Sequence, residues 1–282
     1  MTMPIRNLAT IFALAILLLC VAAPTAAIAQ EYVPTVGQDG KDVIWVPTPE
    51  ELIAAMLDMA KVTASDYVID LGSGDGRIVI AAAKRGARAL GVEFNPDMVE
   101  LSKRNAQKEG VSGKANFIHG DIFETDFTQA TVITMYLLPD LNLKLRPKIL
   151  DMKPGTRVVS HAFSMDDWEA DQTASVEERT AYFWIVPAKV GGTWTWQTTA
   201  GNAEVTLKQT YQKIEGNLKM EGKEQPLKNA KLEGDRISFA VGEGNPTPRE
   251  YAGRVNGNAI EGITKLANGS ERKWAAVRRA QQ

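Results

Sequence analysis

The stretch "VIDLGSGDGRIVIAAAK", Val68 to Lys84, sets Gly72, Gly74 and Gly76 at alternate positions between an apolar run and an alanine-rich run. "DYVIDL" reads as a buried strand, and "RIVIAAAKRG" as a helix that stops at Gly86. The glycines therefore fall in a strand-to-helix turn. There the backbone can approach a bound molecule without side-chain collision, and the positive helix end favours an anionic group. A dinucleotide fingerprint spaces its glycines GxGxxG and places an acid about 20 positions later. Here the spacing is GxGxG, and Asp70 stands two residues before the first glycine, which argues against a dehydrogenase.

Outward from this turn, short apolar runs alternate with longer helical stretches. "RALGVEF" reads as a strand, followed by "NPDMVELSKRNAQKEG", where Asn95 can cap a helix, Pro96 suits its first turn and Gly110 stops it. "ANFIHGD", "ATVITMY" and "TRVVSHAF" read as further strands, and "LNLKLRPKILDM" as a helical stretch interrupted by Pro147. The alternation implies parallel strands with right-handed crossovers, a doubly wound α/β sheet. In such a sheet ligands lie outside the carboxyl ends of the strands. Asp70 stands at the end of the first strand, Glu93 closes the second and Asp121 closes the third, so the three acids converge on one crevice. Asp75 reads as a solvated turn or cap, and His119 as a structural residue at a strand end.

After Pro187 the texture changes to short alternating segments, among them "GGTWTWQ", "AEVTLKQTY" and "DRISFAVG", with turn signals at Asn256-Gly257 and Asn268-Gly269. This is the pattern of a small antiparallel barrel or sandwich. Charge divides at the same place, with residues 1–187 near −7 and 188–282 near +5 within a net charge of −2. The predicted organisation is a signal peptide over 1–29, an α/β domain over 30–187 and an all-β domain over 188–282. The basic domain suits contact with an acidic envelope surface or the acidic partner domain, or is a solvated scaffold. No arginine and aromatic stripe is dense enough to argue for nucleic acid.

The 282 residues are 44% hydrophobic and 23% charged, an ordinary globular composition. Arg6 precedes "IFALAILLLCVAA", an uncharged run with the length of a signal-peptide core, too short to span a bilayer comfortably. Ala27 and Ala29 predict cleavage before Gln30 and export to the periplasm or medium, with an uncleaved inner-membrane anchor as the alternative. Cys20 is the only cysteine, and its bulky neighbour Leu19 disfavours a lipoprotein. The mature chain then has no thiol chemistry, and with only His119 and His161 it has no histidine-rich or cysteine-rich metal set. Nothing in the spacing asks for an all-oxygen magnesium site.

The acidic-x-Gly-x-Gly-x-Gly turn resembles that of the class I methyltransferases that use S-adenosylmethionine. The resemblance implies that Asp70 helps hold the cationic aminoacyl end, Glu93 the ribose hydroxyls, and Asp121, with the Ile122 backbone nearby, the adenine amino group. More narrowly, Val46 to Ala106, from "VPTPEELIAAM" to "EFNPDMVELSKRNA", is similar to the protein-lysine methyltransferases that modify the c-ring protein of ATP synthase and related substrates. The likeness is fainter through "MYLLPDLNLKLRPKILDMKPGTRVVSHAF". The chain departs from that family in its export signal, in His161 where arginine is usual, and in the added β domain, whose turn spacing resembles small lipocalin-like modules of bacterial envelope enzymes.

The expected cofactor is S-adenosylmethionine, and the expected partner is a protein carrying an acceptor lysine, or a small molecule. The protein must align a neutral nucleophile in line with an already activated methyl group and exclude water. Burial beside a cationic sulfur lowers the pKa of an acceptor lysine. Tyr136, at the end of the fourth strand, is the candidate catalytic residue. Leu137, Leu138 and Pro139 follow it at the acceptor entrance, joined by Trp45 and Thr48 from the lead-in. The rival readings are a small-molecule methyltransferase, which needs a closed apolar pocket, and a non-catalytic envelope binding module on the same fold.

Overall fold

A computed structural model describes residues 32–199, 201–242, 249–266 and 268–280. The export signal read in residues 1–29 lies outside them. The first half of the chain runs α1 (Glu50–Met59), β1 (Tyr67–Leu71), α2 (Arg77–Lys84), β2 (Arg88–Glu93), α3 (Pro96–Lys108), β3 (Ala115–His119), β4 (Val132–Met135), α4 (Pro139–Leu150), β5 (Arg157–His161), β6 (Gln172–Val176) and β7 (Arg179–Ile185). These strands form one sheet in the order β3-β2-β1-β4-β5-β7-β6. The first five are parallel, and β7 and β6 extend the edge in antiparallel pairing.

The period of two along β1 assigns its side chains to two cores. Val68 joins Met56 and Leu57 of α1, Val79 and Ala82 of α2, and Val99 of α3. Ile69 and Leu71 face the other way and join Ile133, Leu145 and Ile149 with Trp168 and Trp184. All four residues of β4 are buried, as expected of a central strand covered on both faces. Asn95 caps α3 by accepting from the amides of Asp97 and Met98, with Pro96 in the first turn.

Two features differ from the sequence reading. The helix before β5 starts at Pro139 and continues through Pro147. Pro147 lies on the exposed side, where water can serve the Leu143 carbonyl, and its own carbonyl still accepts from Asp151 N. The sheet also carries the antiparallel β6–β7 hairpin, whose two turn residues, Glu177 and Glu178, both have positive φ.

Nine further strands follow: β8 (Gly192–Thr198), β9 (Gly201–Thr210), β10 (Lys213–Met220), β11 (Lys223–Pro226), β12 (Lys228–Glu233), β13 (Arg236–Val241), β14 (Arg249–Asn256), β15 (Ala259–Lys265) and β16 (Glu271–Arg278). They form an antiparallel, nearly closed barrel-like sheet in the order β11-β10-β9-β8-β16-β15-β14-β13-β12. Its core is aromatic, with Trp196, Phe239, Tyr251 and Trp274 rings 5.0 to 6.1 Å apart. The change of pattern read at Pro187 falls between β7 and β8. The two sheets nevertheless lie in one compact unit, Pro34–Gln282. Tyr211, in the β9–β10 turn, stacks 6.0 Å from Trp168 and donates to Asp167 at 3.0 Å, so the β sheet contributes to the second α/β core.

Candidate functional site

The carboxyl ends of the parallel strands open into a cavity of about 730 Å³. Along this edge Asp121 follows β3, Glu93 ends β2, Asp70 stands on β1 before the glycine turn, and Tyr136 follows β4. All four line the same cavity, with Trp45, Thr48, Gly72, Gly74, Ile122, Leu137 and Leu138. Adjacent strands lie about 4.8 Å apart, so the edge from β3 to β5 spans roughly 19 Å.

Gly76 and Pro139 do not line the cavity. Gly76 begins α2 at φ +83, and a Cβ there would meet the Phe117 ring at 2.7 Å and Ser102 Cβ at 2.9 Å. Its small size serves the packing of α2 on β3 and α3. Pro139 is the first residue of α4.

The glycine turn spends its amides inside the protein. Gly72 N and Ser73 N both donate to Val92 O, Gly74 N donates to Glu93 Oε2 at 2.9 Å, and Gly76 N donates to Ser73 O. These four amides are therefore not free to cradle a ligand. Gly74, at φ +53, makes room for the lead-in: a Cβ there would lie 2.7 Å from Trp45 Nε1.

Each acid has a defined setting. Asp70 is 2% exposed and accepts from Thr134 Oγ1 at 2.7 Å across the β1–β4 pair. Burial pushes its carboxyl up to about 7, opposed by the Thr134 bond and reinforced by Glu93 and Asp75. Glu93 also accepts from Asn95 N at 2.9 Å, so it ties the glycine turn to the start of α3 and keeps further lone pairs for a ligand. Asp121 accepts from Lys41 at 2.5 Å and from Phe123 N at 2.8 Å; in that order these bonds hold its carboxyl below the usual range.

At the other end of the cavity the lining is aromatic and apolar. The Tyr136 ring lies 3.8 Å from the His161 ring and 6.2 Å from Phe163. Thr48, read only as an entrance residue, is buried and its hydroxyl lies 3.0 Å from His161 Nδ1. Its carbonyl accepts from Arg77 Nη1 at 3.0 Å, and Arg77 is paired with Asp75 at 2.7 Å. Asp75 is thus an anchor for α2 and the lead-in, beyond the solvated turn or cap read from sequence. His119 is exposed, with its ring 5.8 Å from that of Phe94.

Sequence reasoning did not single out Lys41, Arg77 or Thr134, and gave His161 no role. Thr134 was accessible in principle, because strand register sets it opposite Asp70. Lys41 and His161 meet their partners across 80 and 113 residues, which no local pattern reveals. Ser73 also lines the cavity, while its hydroxyl is buried without a protein partner, packed against Gly91 of β2.

Comparison with known proteins gives four results that agree on methyl transfer. A family model described as the ANTKMT methyltransferase domain matches residues 70–172. Over 151 residues the chain is 44% identical to a protein-lysine N-methyltransferase of Saccharolobus islandicus, covering 94% of that protein and 51% of this chain. It is 34% identical over 119 residues to the adenine nucleotide translocase lysine N-methyltransferase of Mus musculus, spanning about half of that relative (51%) and 42% of this chain. Among solved structures, an RNA methyltransferase from Salinibacter ruber in complex with S-adenosyl-L-homocysteine is 47% identical with a TM-score of 0.50, over 51% of this chain and 96% of that one.

Proposed function

The chain belongs to the S-adenosylmethionine-dependent protein-lysine methyltransferases, and from that premise we propose that it methylates a lysine side chain of a protein substrate. The observation that carries this reading is the ordered edge of the parallel sheet: Asp121, Glu93 and Asp70 in sequence along one cavity, then the apolar and aromatic mouth at Tyr136. The residues fit the cofactor chemically. Asp121 suits the adenine amino group, Glu93 the ribose hydroxyls and Asp70 the cationic amino group.

S-Adenosylmethionine supplies a methyl group already activated on a cationic sulfur. The chain's own task is positioning. Asp70 and Glu93 fix the two ends of the reacting region, and Tyr136, Leu137 and Phe163 exclude water where an acceptor amine enters. An amine brought into that apolar mouth loses its proton more readily than in water.

A lysine acceptor is favoured over RNA by charge. Residues 1–187, which build the whole cavity lining, sum to about −7, a field that attracts cationic side chains and repels phosphates. Export is supported by Arg6, the apolar run Ile11 to Ala23 and the alanines at 27 and 29. The net +5 of residues 188–282 supports envelope contact by the barrel-like, lipocalin-like sheet. The test is methyl transfer by purified full-length protein to a lysine-rich synthetic peptide and, separately, to RNA, with calorimetric titration of S-adenosylhomocysteine. Methyl-lysine in the peptide and binding of the product support the reading; absence of binding, or methylation of RNA alone, overturns it. Fractionation with N-terminal sequencing tests export, the expected first residue being Gln30.

A further inference from the structure

We propose that His161 is a positioning residue for methyl transfer: held by Thr48 and packed face against face at a tilt on Tyr136, it fixes the Tyr136 ring at the mouth through which the acceptor lysine enters. This inference rests on the methyltransferase reading given above.

Three observations carry it. First, no described residue hydrogen-bonds the Tyr136 hydroxyl, so the ring is held by its neighbours' faces. The nearest is His161 at a centroid distance of 3.8 Å and 33° between planes, and Phe163 follows at 6.2 Å and 26°. Second, the imidazole is itself pinned. His161 ends β5 and is 2% exposed, and its Nδ1 lies 3.0 Å from Oγ1 of Thr48, which is 3% exposed. Burying a hydroxyl and an imidazole costs free energy that two apolar side chains would not, so this pair is an expensive way to fill space. Third, both flanks are built to aim it. Ala162 has φ +64 and Phe163 N donates to His161 O at 2.8 Å, a γ-turn of the rare positive-φ kind, which directs Phe163 into the same cavity. Thr48 is in turn fixed through its carbonyl by Arg77, which Asp75 of the glycine turn holds. The chain of contacts Asp75, Arg77, Thr48, His161, Tyr136 therefore runs from the cofactor turn to the acceptor mouth and ties their geometries together.

The imidazole does this work as a neutral ring, because burial, with Arg179 adding, lowers its pKa to about 4. It is thus a poor proton acceptor for an ammonium group, and its role is geometric. Small misplacements of a reacting pair cost up to about a hundredfold in rate.

The experiment uses the full-length protein and the variants Thr48→Val, Thr48→Ser and His161→Gln. For each, titration of S-adenosylhomocysteine is combined with methyl transfer to a lysine-rich synthetic peptide and nuclear magnetic resonance of carbon-13-labelled tyrosine rings. Thr48→Val and His161→Gln should keep product affinity within about twofold and lower kcat roughly ten- to a hundredfold, with KM for S-adenosylmethionine unchanged. Thr48→Ser should restore most of the rate. The Tyr136 ring should flip faster in the two impaired variants than in the wild type. Wild-type kcat in Thr48→Val and His161→Gln, or a loss that falls equally on product affinity, would overturn the proposal. If the wild type neither binds the product nor methylates the peptide, the methyltransferase reading fails, and an unchanged Tyr136 flip rate in the variants would then overturn the positioning claim independently.

Discussion

Lys41 donates to Asp121 Oδ2 at 2.5 Å, and its ammonium lies 4.7 Å from the centroid of the Phe94 ring. It hangs from a turn closed by Gly37 N to Trp45 O and Trp45 N to Gln38 O, so the lead-in places a cation at the β3 end of the cavity. On the reading above, the adenine amino group seeks the same carboxylate. The pair is solvent-exposed, so the competition is modest. Lys41→Met should tighten S-adenosylhomocysteine by roughly two- to fivefold, and added salt should raise the affinity of the wild type but not that of the variant. Calorimetry at two ionic strengths measures both. Weaker binding by the variant would mean that Lys41 stays part of the ligand-bound site.

Glu93 has two duties, and its substitution should show both. Its oxygens accept from Gly74 N and Asn95 N, each at 2.9 Å, before any ligand is considered. Glu93→Ala should therefore lower stability by about 2–3 kcal/mol as well as weakening cofactor binding about ten- to a hundredfold. Glu93→Gln keeps one carbonyl acceptor but turns an NH₂ toward a backbone N–H, so it should fall between wild type and alanine on both scales. Chemical denaturation and titration of the same samples separate the effects. A variant that binds like wild type would show that the ribose is not held here.

The parts of this architecture legible in sequence are those written in local periods. The run "DYVIDL" alternates toward two cores, Asn95-Pro96 caps a helix, and the acids at strand ends fall along one edge because parallel strands share a direction. The β6–β7 hairpin escaped because its turn is Glu177-Glu178, at φ +47 and +65, where asparagine and glycine normally give the signal. The cavity was legible as three acids and a tyrosine. Its bracing was not, because Thr48 meets His161, and Lys41 meets Asp121, only through tertiary folding.

Tyr211 joins the barrel-like sheet to the α/β core. It stacks 6.0 Å from Trp168, which is fully buried, and donates to Asp167, while Arg146 lies 5.6 Å over its ring. Tyr211→Ala should cost about 2 kcal/mol or more, and Tyr211→Phe under about 1 kcal/mol, since it keeps the stack and loses one exposed hydrogen bond. The melting transition should remain single in both. Two separated transitions in the wild type would show instead that the sheets unfold independently.

The last prediction concerns pH, where two buried groups oppose each other. Asp70 and His161 are each 2% exposed, and burial favours the neutral form of both. The Asp70 carboxyl rises from 3.8 to about 7, so across that interval the folded protein holds a proton that the unfolded chain has released. Its contribution is greatest below pH 3.8 and is lost as pH rises to about 7. The His161 imidazole falls from 6.5 to about 4, so the unfolded chain binds a proton that the folded protein refuses. Its contribution is whole above pH 6.5 and is lost as pH drops to about 4. The two slopes have opposite sign over overlapping intervals and are worth on the order of 4 kcal/mol for Asp70 and 3 kcal/mol for His161, so in the wild type they largely cancel. Single substitutions unmask them. Asp70→Asn still accepts the Thr134 hydroxyl, and its stability relative to wild type should improve steadily as pH rises from about 4 to about 7. His161→Gln should show the reverse, gaining relative to wild type as pH falls below about 6.5. The quantity to read is the change in each difference with pH, because lost packing adds an offset at all pH values. Denaturant unfolding from about pH 4 to about pH 8 measures it. Differences that stay constant with pH would show that neither group titrates as its burial demands.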